Sequence, residues 1–326
     1  MAGAGTFISP GRSLELGIER ARLAERLGFD SIYTTQVAGR DAFTVLAAFA
    51  VATERIRLGT GVAPIFARTP VAMAQVAATL DELSGGRMVL GLGVSHQVTV
   101  EHWFGSEITK PVAQMRDYAG AVRAILRGEP PPEGEFFTTR FQFMGYAARP
   151  DLPVYVAALS PNMLRLAGEI ADGVMLWLCA PDYIRTAVIP AVREGRERAG
   201  KGLDGFDIVA AVPAALTDDR AAVLEAMRGE LVAYASLPFY RRMLEASGFG
   251  EEIAAFDDGM AAGDADRAKA GLSERMLDSL AGIGDADAVR GAVARYREAG
   301  AVSPCVGGIR GADFDATLEA TAGALD

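Results

Sequence analysis

The chain reads as an α/β protein, a (β/α)8 TIM barrel with rim insertions, and three features predict it. Amphipathic helices alternate with short strands along almost all of its 326 residues. The strands are apolar on both faces, as parallel strands covered by helices are. The strand count reaches eight, which favours a closed barrel over an open doubly wound sheet.

The first strand is short, Gly5 to Ile8. Leu16, Leu23, Ala24 and Leu27 then recur at helical spacing until Gly28 breaks the helix, and Phe29 to Tyr33 is the second strand. Asp41 is an N-cap for a helix running to about Thr53, and Ile56 to Val62 is the third strand. Thr69-Pro70 places a cap and then proline at the first helical position. Met73, Val76, Ala77, Leu80 and Leu83 share one face of that helix, Gly85-Gly86 ends it, and Met88 to Val94 is the fourth strand. Pro111 to Arg127, Pro161 to Ala171 and Pro181 to Ala199 are helices. Pro153 to Ala158, Val174 to Leu178 and Phe206 to Pro213 are strands. Val306 to Ile309 is the last strand, followed by a helix from about Asp313. Two segments depart from the alternation and read as insertions at the barrel rim of one domain spanning 1–326. Residues 129–150, with three consecutive prolines, predict a loop or small hairpin. Residues 217–284 predict a helix and then an Ala/Asp/Gly-rich stretch around Asp257 to Asp266 with few residues to anchor a core.

Half the residues are hydrophobic and 23% are charged, ordinary values for a well-cored protein. A formal charge of −10, without a Lys/Arg cluster, argues against nucleic acid and anionic membranes as partners. No apolar run reaches the roughly 18 residues of a membrane span. Met1 to Gly11 lacks the basic and apolar regions of a signal peptide. Cys179 and Cys305 are far apart, sit in apolar runs and read as reduced thiols, so the expected location is the cytoplasm.

Glycines stand out where strands three and four end. Gly59-Thr60-Gly61 and Gly91-Leu92-Gly93 place small residues on one strand face near the carboxyl end, where barrels hold their chemistry. Such glycines serve either barrel packing or the close approach of a ligand. The run from Gly91 is not a dinucleotide fingerprint, because His96 occupies the place of its third glycine. His96 directly follows strand four, and its ordinary pKa near ~6.5 suits proton transfer. His102 lies further into the same loop and is as well read as a lid residue. Ser160, before Pro161 and Asn162, caps a helix whose free N–H groups form an anion site, although every helix needs a cap. No spaced His/Asp/Glu set suggests a metal. Trp103, Phe104, Trp177, Tyr234 and Phe239 are candidates for an apolar pocket or simply for the core.

Together these segments resemble the bacterial-luciferase-like superfamily of flavin and deazaflavin oxidoreductases, from about Ser13 to Ile309. The matching stretches are Leu27 to Ser31, Arg55 to Val62, Leu83 to Arg87 with the strand after it, and Ala157 to Pro161 continuing from Met163 to Gly173. Gly93 to Gln97 and the Pro111 helix with Met115-Arg116-Asp117-Tyr118 resemble the branch that uses coenzyme F420.

That resemblance implies a deazaflavin carrying hydride. It implies a bulge with a non-proline cis peptide behind the ring, at Gly61-Val62 with Ala63 beside it. The phosphate tail would meet Ala157, Ala158, Leu159, Ser160 and Met163, with Gly93, Val94 and Ser95 contributing from strand four. Thr35 would join the cofactor contacts, His96 would transfer the proton, and Gln36 would position substrate or cofactor. Sugar-phosphate dehydrogenases of the superfamily carry an acidic residue and a His where this chain has Thr35-Gln36, and a Glu near the place of His96. Glucose-6-phosphate is therefore not the expected substrate. The expected activity is reduction of a C=C, C=N or C=O bond in a small molecule. An FMN-dependent monooxygenase and a non-catalytic cofactor carrier are the alternatives. The resemblance also implies a homodimer, with helices two and three supplying apolar faces.

Overall fold

The computed structural model describes residues 3–323; Met1, Ala2 and the last three residues lie outside the described residues. The strands are β1 (Gly5–Phe7), β2 (Ser31–Thr34), β3 (Arg57–Thr60), β4 (Ala63–Pro64), β5 (Met88–Gly93), β6 (Val154–Ala157), β7 (Gly173–Leu176), β8 (Asp207–Leu216), β9 (Gly282–Gly284) and β10 (Ser303–Gly308). All pair in parallel, in the order β10-β1-β2-β3-β5-β6-β7-β8. The barrel closes because β10 also pairs with β8, Ser303 opposite Val209 through Gly308 opposite Ala214.

Helices α1 (Leu14–Arg26), α2 (Ala42–Ala52), α3 (Pro70–Leu83), α4 (Pro111–Arg127), α5 (Pro161–Ile170), α6 (Pro181–Tyr183) and α7 (Ile189–Arg198) follow the strands, with single π-helical turns at Thr99–Trp103 and Ile184–Val188. The caps do what their residue types dictate. Ser13, Asp41, Thr69 and Ser160 each accept a hydrogen bond from the amide three residues on. None of the helices is long and apolar enough to cross a membrane, among the described residues.

The expected strand three is two pieces. Thr60 ends β3, and its hydroxyl exchanges hydrogen bonds with Gly91 across the ladder, donating to O at 2.7 Å and accepting from N at 2.9 Å. The chain then breaks at Gly61–Val62 and resumes as β4 opposite Leu92 and Gly93. The last strand begins at Ser303, earlier than Val306, because Pro304 sits in parallel pairing where its apolar neighbours gave no sign of it.

Residues 129–150 form no hairpin: they are a loop strapped across α3 and α4. Phe137 packs edge-on against Tyr118 at 5.1 Å, Tyr146 donates to the Ala78 carbonyl, and Arg149 pairs with Asp81. The second insertion is helical almost throughout: α8 (Arg220–Ala235), α9 (Pro238–Ala246), α10 (Gly250–Ala261), α11 (Ala265–Gly271) and α12 (Glu274–Leu280), followed by β9 on the far end of β8. Its Asp/Gly-rich part is anchored after all. Gly259 and Gly271 let α10 and α11 approach until backbones touch, and Ile253, Phe256 and Ala268 are buried between them. Two more helices, α13 (Ala286–Glu298) and α14 (Phe314–Ala322), flank β10.

Candidate active site

Alternate residues of the strands point into the barrel. The middle layer is filled by Tyr33, Val89, Met175, Val209 and Cys305, all buried. Above it, at the carboxyl ends, the inward residues are Phe7, Val62, Ala157 and Trp177, half-buried and apolar. This upper layer faces the loops that follow the strands and is the floor of the candidate site.

The glycines of strands β3 and β5 divide into two roles. A Cβ on Gly59 would strike the Tyr33 ring, and one on Gly91 would lie 2.1 Å from the Thr60 carbonyl oxygen. Those two serve packing, which is the plainer of the two readings. A Cβ on Gly93 would meet the Val62 methyl at 2.5 Å, with Ala157 next at 3.6 Å. Gly93 is thus the cradle into which Val62 turns, and it sets the face Val62 presents. The Gly61–Val62 peptide is cis, the geometry that the resemblance implies at this position. Gly61 donates to the Thr34 carbonyl at 2.9 Å, and Ala63 is buried in the pairing with Leu92.

Two non-glycine residues among those described have left-handed backbone: Ser95 (φ 62°) and Leu178 (φ 50°). They follow β5 and β7 directly. Such conformations cost on the order of 1–3 kcal/mol each and concentrate at functional sites. At Ser95 the turn directs the chain from Val94 into the loop carrying His96.

His96 is half-buried, and burial lowers its pKa from 6.5; no charged group contributes to that shift. The imidazole is therefore neutral at pH 7, and its protonated form gives up the proton more readily than a free imidazolium does. Its ring lies 6.4 Å from Tyr234 and 6.1 Å from Tyr240, which come from α8 and α9. His102 is exposed in the π-helical turn, as is Trp103.

The other candidates sit in separate groups. Gln36 accepts from Arg68 at 3.1 Å. Arg68 also pairs with Asp41 and stacks 4.9 Å from the Phe43 ring centroid. Burial pushes the Asp41 carboxyl up, but the Thr44 amide and hydroxyl and the Arg68 guanidinium together hold it below its ordinary value. Thr35 is exposed beside Gln36. At the start of α5, Ser160 accepts from the Met163 amide at 3.4 Å, and Tyr183 donates to the Leu159 carbonyl at 2.9 Å. Pro161 has no N–H, so the Asn162 amide and the Ser160 hydroxyl are the donors at this helix end. Arg165 is engaged by Glu194 and Asn162, which leaves neutral donors to meet an anion here. Among the described residues no group of His, Cys, Asp and Glu is arranged to hold a metal ion.

Arg68, Tyr183 and Tyr240 carry no sequence signal as site residues. Each acts through a contact far along the chain: Arg68 with Gln36, Tyr183 with Leu159, and Tyr240 with His96.

Residues 2–303 match the family model of the luciferase-like monooxygenases. The chain belongs to that family. Within it, the chain is 32% identical to a Mycobacterium tuberculosis protein classed as a coenzyme F420-dependent oxidoreductase, over 86% of this chain and 87% of the relative. It is 29% identical to the 5,10-methylenetetrahydromethanopterin reductase of Archaeoglobus fulgidus, over 91% of both. The structure of the coenzyme F420-dependent tetrahydromethanopterin reductase of Methanopyrus kandleri superposes on this luciferase-like barrel with a TM-score of 0.85, at 25% identity, covering 99% of this chain and 98% of that one.

Proposed function

We propose that the chain is a coenzyme F420-dependent oxidoreductase that moves hydride between the deazaflavin and a C=O, C=N or C=C bond of a small substrate. The observation that carries this reading is Val62 seated in Gly93 beside Ala157 at the carboxyl ends of the strands, in a chain similar to proteins whose names carry coenzyme F420. The donor set fits the group. Val62, Ala157 and Trp177 offer an apolar face to a flat ring, and Ser160 with the Asn162 amide offers neutral donors to a phosphodiester. Ser95, Val94, Ala158, Leu159 and Met163 complete the binding surface in this proposal, with Thr35 at its edge and Ala63 behind the bulge.

Bound there, a deazaflavin supplies or takes up a hydride and does not usefully activate oxygen. The chain's residues do the rest. His96 gives a proton to the substrate atom when hydride arrives at its neighbour, or takes one when hydride leaves. Gln36, held by Arg68, positions substrate or cofactor. Titration separates this reading from the FMN monooxygenase that the family name also covers. Oxidised F420 is expected to bind at least tenfold more tightly than FMN, and tighter binding of FMN would overturn the proposal.

We further propose a cytoplasmic homodimer. The outer residues of α2 are Thr44, Ala47, Ala48, Val51 and Ala52, and those of α3 include Ala72, Gln75, Val76, Thr79 and Leu83. Apart from Glu82 at the end of α3 these stripes are uncharged, whereas the outer face of α1 carries Glu15, Glu19, Arg22 and Arg26. Val51 is 73% exposed in the single chain, a large apolar residue with a natural cover in a second copy. Sedimentation should give a dimer, and Val51→Glu should give a monomer.

A further inference from the structure

Five rings form one wall at the carboxyl end of the barrel. Phe7, at the tip of β1, meets Trp177 edge-on at 5.7 Å. The Trp177 indole N–H lies near the Tyr234 hydroxyl, outside hydrogen-bond geometry, and has no other partner. Tyr234 meets Tyr240 at 4.9 Å, and both face His96. Phe7, Trp177, Tyr234 and His96 are half-buried, so their edges remain open, while Tyr240 is buried behind them. These residues come from β1, the end of β7, the loop after β5 and two insertion helices. No local sequence pattern explains their convergence.

Among the described residues the charge that reaches this wall is acidic: Glu230 acts on the Tyr234 hydroxyl, and its own partner is the exposed Arg310. The cation–ring contacts of the described residues, such as Arg242 on Phe239 and Arg68 on Phe43, fall elsewhere. Among the described residues no charged side chain hydrogen-bonds to any of the five rings. An anionic substrate laid here would lose its hydration without gaining a counter-charge. An uncharged carbonyl compound needs only one donor, which the neutral His96 N–H provides, and its apolar body gains from ring contact.

We propose that this wall is the substrate face and that it selects uncharged compounds with an aromatic or bulky apolar body next to the reacting carbonyl, rather than carboxylates or phosphates. The inference rests on the hydride-transfer reading above and narrows its substrate class.

A matched pair of probes tests it: 4-phenylbutan-2-one and 3-phenylpropanoate, alike in shape and different in charge. Calorimetric titrations of the full chain, alone and with saturating oxidised F420, should show the ketone binding at least tenfold more tightly. The chain has two tryptophans, so in Trp103→Phe the emission reports Trp177 alone and should shift on adding the ketone. Tyr234→Ala should weaken ketone binding about tenfold, with Tyr234→Phe retaining it. The proposal is overturned if the carboxylate binds as tightly, if neither probe binds in either state, or if Tyr234→Ala leaves ketone affinity unchanged. Ketone preference in a chain that does not bind F420 would count against the cofactor reading alone.

Discussion

The two ends of the barrel interior differ in chemistry and in exposure. At the amino end the inward residues are polar: Ser31, Arg57, Tyr155, Asp207 and Ser303. Tyr155 donates to Asp207 at 3.0 Å, and the Arg57 guanidinium stands 4.0 Å from the same carboxylate. At the carboxyl end the inward residues are Phe7, Val62, Ala157 and Trp177, apolar and half-open, with left-handed backbone at Ser95 and Leu178 beside them. The titratable cluster of the interior lies at the amino end. Left-handed backbone and open apolar surface mark the other. In the proposed function the polar end closes the barrel, and the apolar end receives a ring and a substrate.

Substitutions at each end sharpen that contrast. The largest effect is expected from Gly91→Ala, whose Cβ would meet the rigid Thr60 carbonyl oxygen; it should lower stability by about 3 kcal/mol, at the upper end of overpacking costs. Gly93→Ala presses on a side chain that is able to turn, so thermal unfolding should shift less while cofactor affinity falls. Equal stability losses at the two glycines would contradict the separate roles given to them.

Next in size, Asp207→Ala removes the acceptor of Tyr155 and the partner of Arg57. Denaturant unfolding should report a loss of about 1–3 kcal/mol, with F420 affinity unchanged. Loss of cofactor binding without loss of stability would give the amino end a functional role.

The smallest effect concerns His96. Burial disfavours its imidazolium in the folded state, so the unfolded chain binds the proton more readily. Stability should therefore rise with pH between the lowered value and 6.5 and level off above it, and His96→Gln should flatten that slope. In the reductive direction, kcat/KM should fall as pH rises through a value below 6.5, since the protonated form is then depleted.

Much of the barrel was legible because glycine and proline punctuate it: Gly28, Thr69-Pro70, Gly85-Gly86 and Ser160-Pro161 bound elements where the structure has them. The misses have physical causes. Continuous apolar character hid the break between β3 and β4 from the strand pattern, since a change of peptide geometry leaves no compositional trace; the family resemblance is what located it at Gly61-Val62. Small residues in 257–266 suggested weak anchoring, whereas glycines there serve close helix contact. The contact of His96 with Tyr234 and Tyr240 joins segments that only the tertiary fold brings together, as does that of Gln36 with Arg68.

One equilibrium titration tests the carboxyl-end site most directly: oxidised F420 against the unaltered chain, Ala157→Leu and Asp207→Asn. Ala157→Leu fills the floor beside Val62 and Gly93 and is expected to weaken binding at least tenfold, while Asp207→Asn leaves the Kd unchanged. Full affinity in Ala157→Leu, with affinity lost in Asp207→Asn, would contradict the assignment of the cofactor to this end of the barrel.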